Sequence, residues 1–442
     1  MSVRIATAGR TNNRPHDIAS QYINFALLSL MCILLISDTA TRSYFSIIFF
    51  GDEAFGTFLK VSFGVILIFT AIACFQRDIN ILAVFAVIIA FFVSYYLYFI
   101  IGTGRPINFN SLGGYYGVLT VIVFYELAKR NLLPAAMKII FFVYVAYLLA
   151  YSILSLGDLV GIDISLASKK VTIDISDPSR RGRLFIFHGA AAYVAMYSVS
   201  KLWEKFRISY LVTFALAVFA AYLSMSRVFM VCLVVVLLLF IATRRLTLVQ
   251  RISFFGYVVV SAYLVFGIFD PSFNPYWFAD TDSSTLAREY QYVTVAQYIR
   301  TFPFFGVGLP DATEGLTQYL GRVIFPSDLG VVGVWFQFGL VGVAVIGGIA
   351  MYIICFQNVE RSSAVLGKGN ARTLSLTGCV IGLGGCHDLY VGMAMLFSLI
   401  FANTLYNARL FAARARKSQR AISRTPSSRS RATLPRTPAA PT

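Results

Sequence analysis

From Ile81 to Tyr98 the chain runs for eighteen residues without a charge. A helix of ~20 apolar residues is what crosses the ~30 Å hydrocarbon core of a bilayer. Barrel strands would read instead as ~10-residue segments of alternating polarity. Comparable runs recur along the 442 residues: 58% are apolar, 13% are charged, and mean hydropathy is +0.74. A soluble domain carries about 25% charge. Ordinary soluble, disordered, collagenous and small disulfide-rich chains are thereby excluded. The expected fold is all-α: a polytopic integral membrane protein of about 12 transmembrane helices, with a large periplasmic loop carrying short helices.

The apolar runs place spans at roughly 20–37, 57–75, 80–100, 112–128, 135–156, 184–200, 208–225, 228–243, 252–269, 329–357, 373–386 and 389–408. An even count puts both termini on one side, and the positive-inside rule chooses which. With both termini in the cytoplasm, the inner segments carry 25 Lys/Arg and 5 Asp/Glu, the outer ones 12 and 15. The net charge of +17 is thus a topology signal, and nucleic acid is not expected as a partner. Residues 1–19 read as a cytoplasmic segment, 20–408 as the transmembrane domain and 409–442 as a basic, disordered cytoplasmic tail. The tail holds nine Lys/Arg and no acid, which suits either solvation or anionic lipid headgroups. The first span follows a polar stretch without a small-residue cleavage site, as a retained signal anchor would. Cys32, Cys74, Cys232, Cys355, Cys379 and Cys386 all fall in or beside spans, so no disulfide staples the outer loops. No Cys/His spacing reads as a metal site, and no cofactor is expected.

Two outer loops are long, 157–183 and 270–328. Long loops in compact proteins commonly carry function. Within the second, Leu286–Phe302 reads as a helix capped by Ser283, Ser284 or Thr285 and stopped by Pro303. Leu286, Tyr290, Val293 and Gln297 share one face by 3- and 4-residue steps, widened by Tyr292, Val295 and Ile299. Arg288 falls in the expected first turn, where a cation opposes the helix dipole. Then comes Pro303-Phe304-Phe305-Gly306-Val307-Gly308, a tight turn whose glycines admit close backbone approach.

Charge inside or beside a span is costly and calls for a reason. Arg227 closes Ser224-Met225-Ser226-Arg227 at the outer boundary, either snorkelling to headgroups or clamping a phosphate. Arg180, Arg181 and Arg183 cluster on the side where positive charge is disfavoured. His188 lies about a turn inside the next span, as a core histidine or a site residue. Asp328 opens the tenth span, as a helix cap or a proton acceptor.

These motifs, in this order, resemble the O-antigen polymerase and O-antigen ligase superfamily of bacterial envelope enzymes. Ser226-Arg227 sits at the outer edge of a mid-chain span. Ser283-Ser284-Thr285-Leu286-Ala287-Arg288 leads a loop helix. Pro303 to Gly308 matches a Pro-aromatic-x-Gly-x-Gly turn, and Ser327-Asp328 opens the next span before Gly339-Leu340-Val341-Gly342. The resemblance covers about Arg180 to Gln357. Ligases typically have a His where this chain has Ser327 or Asp328, so the departure favours a polymerase. Where many members have an Asn-Pro-Asn-like element, this chain reads Phe187-His188-Gly189.

The resemblance implies an undecaprenyl-pyrophosphate-linked oligosaccharide as donor and growing polysaccharide as product. It implies joining of repeat units at the periplasmic face of the inner membrane, among membrane lipids, with a flippase and a chain-length regulator as partners. Arginine forks suit pyrophosphate oxygens. Arg180, Arg181, Arg183, Arg227 and Arg288 are therefore expected to bind or stabilise the leaving group, and Asp328 to act as base. Trp277, Tyr290 and Tyr292 are expected to stack on sugars, with His188 as a further binding residue. No metal is expected. Two other readings stay open: a ligase with another acceptor, and a 12-span transporter. Two similar halves and a long central cytoplasmic loop, common in such transporters, are lacking here.

Overall fold

The computed structural model describes residues 15–42, 52–104, 115–160, 187–224, 227–270, 272–273, 283–309, 324, 329–349, 359–383 and 394–424. Among them the regular structure is helical, with no strand. The first five helices are α1 (Pro15–Arg42), α2 (Asp52–Phe75), α3 (Ile79–Thr103), α4 (Tyr116–Leu119) and α5 (Val121–Lys129). Next are α6 (Leu133–Leu159), α7 (His188–Glu204), α8 (Ile208–Leu223), α9 (Arg227–Thr243) and α10 (Leu246–Phe269). The last five are α11 (Ser283–Thr301), α12 (Val331–Gly342), α13 (Val359–Leu366), α14 (Lys368–Leu383) and α15 (Ala394–Arg424).

Among the described residues, six stretches are long and apolar enough to cross a membrane: Ala19–Thr41, Gly56–Phe75, Ile79–Gly102, Leu133–Gly157, Leu246–Phe269 and Val331–Gly348. Ile208–Leu223 and Val228–Thr243 are apolar but shorter. Length and apolarity thus carry a multi-pass helical protein with six candidate spans among the described residues. Apolar side chains line the outside of these helices: Phe75 is 91% exposed and Ile101 80%, with Leu67, Val87, Phe142 and Phe255 also exposed. Water would penalise so extensive an apolar exterior, whereas lipid would not.

One of the most enclosed helices is also one of the least apolar. In α14, residues Gly369–Ala371 and Thr373–Gly382 are buried. By sequence, Ser375, Gly378, Cys379, Gly382 and Cys386 recur at 3- and 4-residue steps as a small-residue face; Cys386 lies outside the described residues, and the other four fall within that stretch, which packs against α7 and α10. Gln250 of α10 donates to the Ser375 hydroxyl at 2.8 Å. A helix surrounded by protein needs partners for its polar groups rather than uniform hydrophobicity.

The bundle has two chemically distinct ends. At one, Asp78 in the α2–α3 turn is buried, its side chain 3% exposed. Arg409 Nη1 donates to its two oxygens at 3.0 and 2.8 Å, and Lys129 Nζ at 3.0 Å. Arg409 Nη1 also reaches the Tyr125 hydroxyl at 2.7 Å, and Lys129 donates to Gln76. Burial pushes the Asp78 carboxyl up, but the hydrogen bonds from Arg409 and Lys129 outweigh it and hold the group below its usual range. Nearby on the same end, Arg244 lies 5.6 Å from the Trp203 ring, and Arg372 Nη1 donates to the Ser200 carbonyl at 3.4 Å.

α15 corrects the expected boundary at 409. It runs unbroken to Arg424, so 409–424 is helical and not a disordered tail. Ala, Arg, Lys and Gln dominate that stretch and are strong helix formers, and the first proline comes only at Pro426.

Candidate functional site

The other end of the bundle gathers the motif residues that are described. α11 begins at Ser283, three residues before the expected Leu286, and ends at Thr301, before Pro303. Arg288 therefore lies in the second turn, where the dipole effect has largely faded, and the expected conflict with the helix dipole does not apply. Of the expected face, only the widening residues are buried. Leu286, Tyr290, Val293 and Gln297 are exposed, while Gln291, Tyr292, Val295, Ala296 and Ile299 are buried. This inward stripe packs on Phe99 of α3, Ile268 of α10, and Val331, Val332, Trp335 and Phe336 of α12. Arg288 sits one turn before Tyr292 on the inward side and is half-buried.

Tyr292 corrects a second expectation. It is 2% exposed, and its hydroxyl donates to the Leu264 carbonyl at 2.6 Å. Its ring offers no face to a sugar. Gly267 makes room for it, since a Cβ there would come within 2.5 Å of the Tyr292 hydroxyl. The exposed aromatics of this region are Tyr290, Phe302, Phe304 and Phe305. The last three were not read from sequence as site candidates, though the aromatic pair before the glycine turn was visible. A ring belt at the membrane interface accounts for them as well as glycan stacking does.

The Pro303–Gly308 turn is clamped to a break in α12. The N–H groups of Val307 and Gly308 donate to the carbonyls of Phe336 and Gln337, both at 2.8 Å. In return, Leu340 N–H and Trp335 Nε1 donate to the Pro303 carbonyl at 2.9 and 2.7 Å. Gly339, at φ 63°, breaks α12 and frees the carbonyls that the turn uses. Gly306 and Gly308 are likewise at positive φ, 66° and 95°. A Cβ on Gly306 would meet the Phe336 carbonyl oxygen at 2.5 Å, and one on Gly339 would collide with the Phe304 carbonyl. The Phe338 carbonyl, also at the break, accepts from Tyr95 Oη of α3 at 2.7 Å. Two motifs 30 residues apart in sequence, the glycine turn and Gly339-Leu340-Val341-Gly342, are therefore one interlocked unit.

The clamp extends to the first helices. Tyr115 Oη donates to Gln337 Oε1 at 3.3 Å. Its neighbour Tyr116 donates to Asp38 Oδ1 of α1 at 2.8 Å and pairs with the Thr41 hydroxyl at 3.1 Å. Asp38 is fully buried. It was not read as a site residue because the first span was expected to end at residue 37. The signal available was an acid closing an apolar run. Charged groups at such depth need partners, and Tyr116 is one.

His188 opens α7 rather than lying a turn inside it, and its ring packs 4.9 Å from that of Phe229. Arg227 is the first residue of α9, two before Phe229, so the starts of α7 and α9 are neighbours. Arg180, Arg181, Arg183, Trp277, Ser327 and Asp328 lie outside the described residues, as does most of the loop 157–183. The α12 cap position is Gly330, at φ 57°. Arg227 and Arg288 are thus placed on the motif-bearing end, on separate helices. Among the described residues no three His, Cys, Asp or Glu side chains gather as metal ligands.

Residues 212–347 match the family model described as O-antigen ligase. The match covers under a third of the chain and spans Arg227, Arg288, the glycine turn, Asp328 and the Gly339–Gly342 element. Arg180, Arg181, Arg183 and His188 lie outside it. No match was found among curated proteins or solved structures. The match supports the O-antigen polymerase and ligase superfamily and, with the apolar helices, a multi-pass membrane protein of polysaccharide biosynthesis.

Proposed function

We propose, from the match of residues 212–347 to the O-antigen ligase family, that this chain is a polymerase of lipid-linked repeat units. It works at the periplasmic face of the inner membrane. A hydroxyl of one glycan attacks the anomeric carbon of another held on undecaprenyl pyrophosphate. The new carbon–oxygen bond forms as the bond to the pyrophosphate breaks, and the pyrophosphate leaves with the electron pair. Asp328 takes the hydroxyl proton. Arg227 and Arg288, with Arg180, Arg181 and Arg183, hold the pyrophosphate and offset its developing charge.

The observation that carries this reading is the interlocked glycine turn. It fixes the C-terminal foot of α11, on whose inward side Arg288 lies half-buried, against the break in α12. A half-buried arginine on a braced helix is preorganised for a polyanion. The family description favours the ligase, while Ser327 and Asp328 in place of a His favour the polymerase.

The glycan accumulated by a deletion strain separates the readings. Single repeats on the lipid carrier at the outer face support polymerase, and full-length polymer on the carrier supports ligase. Repeats trapped inside support a transporter. In complementation at matched protein level, Arg288→Ala should cut polymer formation by roughly 30- to 1,000-fold, the loss of about 2–4 kcal/mol from the leaving group. Arg288→Lys keeps the charge without the fork and should retain part of the activity. Wild-type polymer from Arg288→Ala would assign that residue to loop packing.

A further inference from the structure

A cleft of about 490 Å³ opens at the basic end of the bundle, between the start of α3 and the middle of α15. Its volume lies within the ~300–1,000 Å³ of ligand sites. Ile81 and Val84 form one wall, Leu405, Ala408 and Ala412 the other. Alanines at 408, 412 and 413 leave the space that larger side chains would fill. Arg409 lies at the mouth with its side chain 47% exposed. Asp78 and Tyr125 engage its Nη1.

The cleft face of α15 continues past the cleft. Counting by 3- and 4-residue steps, Leu405, Arg409, Ala412, Arg416, Arg420 and Arg424 share one side of the unbroken helix. By helix position, the side that is apolar within the bundle continues past it as a stripe of Arg416, Arg420 and Arg424. Asn80, Arg77 and Arg130 add polar and cationic groups at this end, while Asp78 and Glu126 are buried against Lys129. An occupant must therefore be apolar where it enters the bundle and anionic where it leaves.

We propose that this cleft binds one anionic phospholipid of the cytoplasmic leaflet. An acyl chain lies along Ile81, Val84 and Leu405, and the headgroup phosphate lies against Arg409 and the arginine stripe of α15. The assignment of this end to the cytoplasmic side follows from its basic excess. It does not depend on the polymerase reading, and the site is remote from the glycine turn.

The test uses the full-length protein in a mild detergent, titrated with phosphatidylglycerol or phosphatidylcholine of identical acyl chains and followed by native mass spectrometry. Phosphatidylglycerol should be retained to one saturable molecule and phosphatidylcholine at least tenfold more weakly. Ala412→Phe fills the cleft and should reduce retention at least tenfold, as should Val84→Trp from the opposite wall. Arg420→Glu should weaken phosphatidylglycerol several-fold and leave phosphatidylcholine unchanged. Ala86→Phe, outside the cleft lining, should bind as wild type. Thermal unfolding checks that each variant is folded. Equal retention of the two lipids, or wild-type retention by folded Ala412→Phe and Val84→Trp proteins, overturns the proposal.

Discussion

Tyr292 and Gly339 show how single residues at the motif-bearing end divide between bracing and chemistry. The Tyr292 hydroxyl bonds the Leu264 carbonyl, so Tyr292→Phe should lower stability by about 0.5–1.5 kcal/mol. Because its ring is buried, polymer length and yield should stay as wild type at matched protein level. A large loss of activity with unchanged melting temperature would instead place the hydroxyl in the reaction. Gly339→Ala combines positive φ with a clash against the Phe304 carbonyl. The backbone strain alone costs ~1–3 kcal/mol, so little folded protein should survive size-exclusion chromatography. Gly348 has open space where a Cβ would go, and Gly348→Ala should be recovered at wild-type levels.

At the scale of elements, the Asp78–Arg409–Lys129 cluster pins α15 to the α2–α3 turn. The Asp78 carboxyl is held below its ordinary value of 3.8 in the folded protein. A depressed carboxylate stabilises the fold above its unfolded pKa, and that contribution is lost as pH falls through the folded value. Melting temperature should therefore decline as pH drops below about 4. In Asp78→Asn that acid-dependent part should be smaller, at a lower stability near neutrality. An identical acid profile in the variant would assign the acid sensitivity to other carboxylates.

The existence and order of helices were legible because apolar runs and breakers such as Pro303 act locally. The inward face of α11 was not legible. Leu286/Tyr290/Val293 and Tyr292/Val295/Ile299 are both apolar stripes, and only the fit of Tyr292 over Gly267 chooses between them. The clamp was half legible: the glycines marked tight backbone, but not that Gly306 and Gly339 approach each other. The helical extension to Arg424 is masked in the sequence by its density of like charge, which helix propensity and the tie of Arg409 to Asp78 overcome. Asp38 was missed by one residue of span length.

For the whole molecule, the asymmetry of the two ends predicts orientation. Reporter fusions at Gly308 should register the periplasm, and fusions at Arg245 or Arg420 the cytoplasm. A cytoplasmic signal at Gly308 would detach the motif end from extracytoplasmic chemistry. The interlock has one more consequence. Val307 and Ile324 belong to one packed cluster with Leu329, Trp335 and Phe336, so the chain departs from and returns to a single fixed anchorage. Doubling the length of a flexible loop between fixed feet adds only ~0.6 kcal/mol of closure entropy. The stretch between those feet can therefore diverge in length and composition while its foundations stay constant.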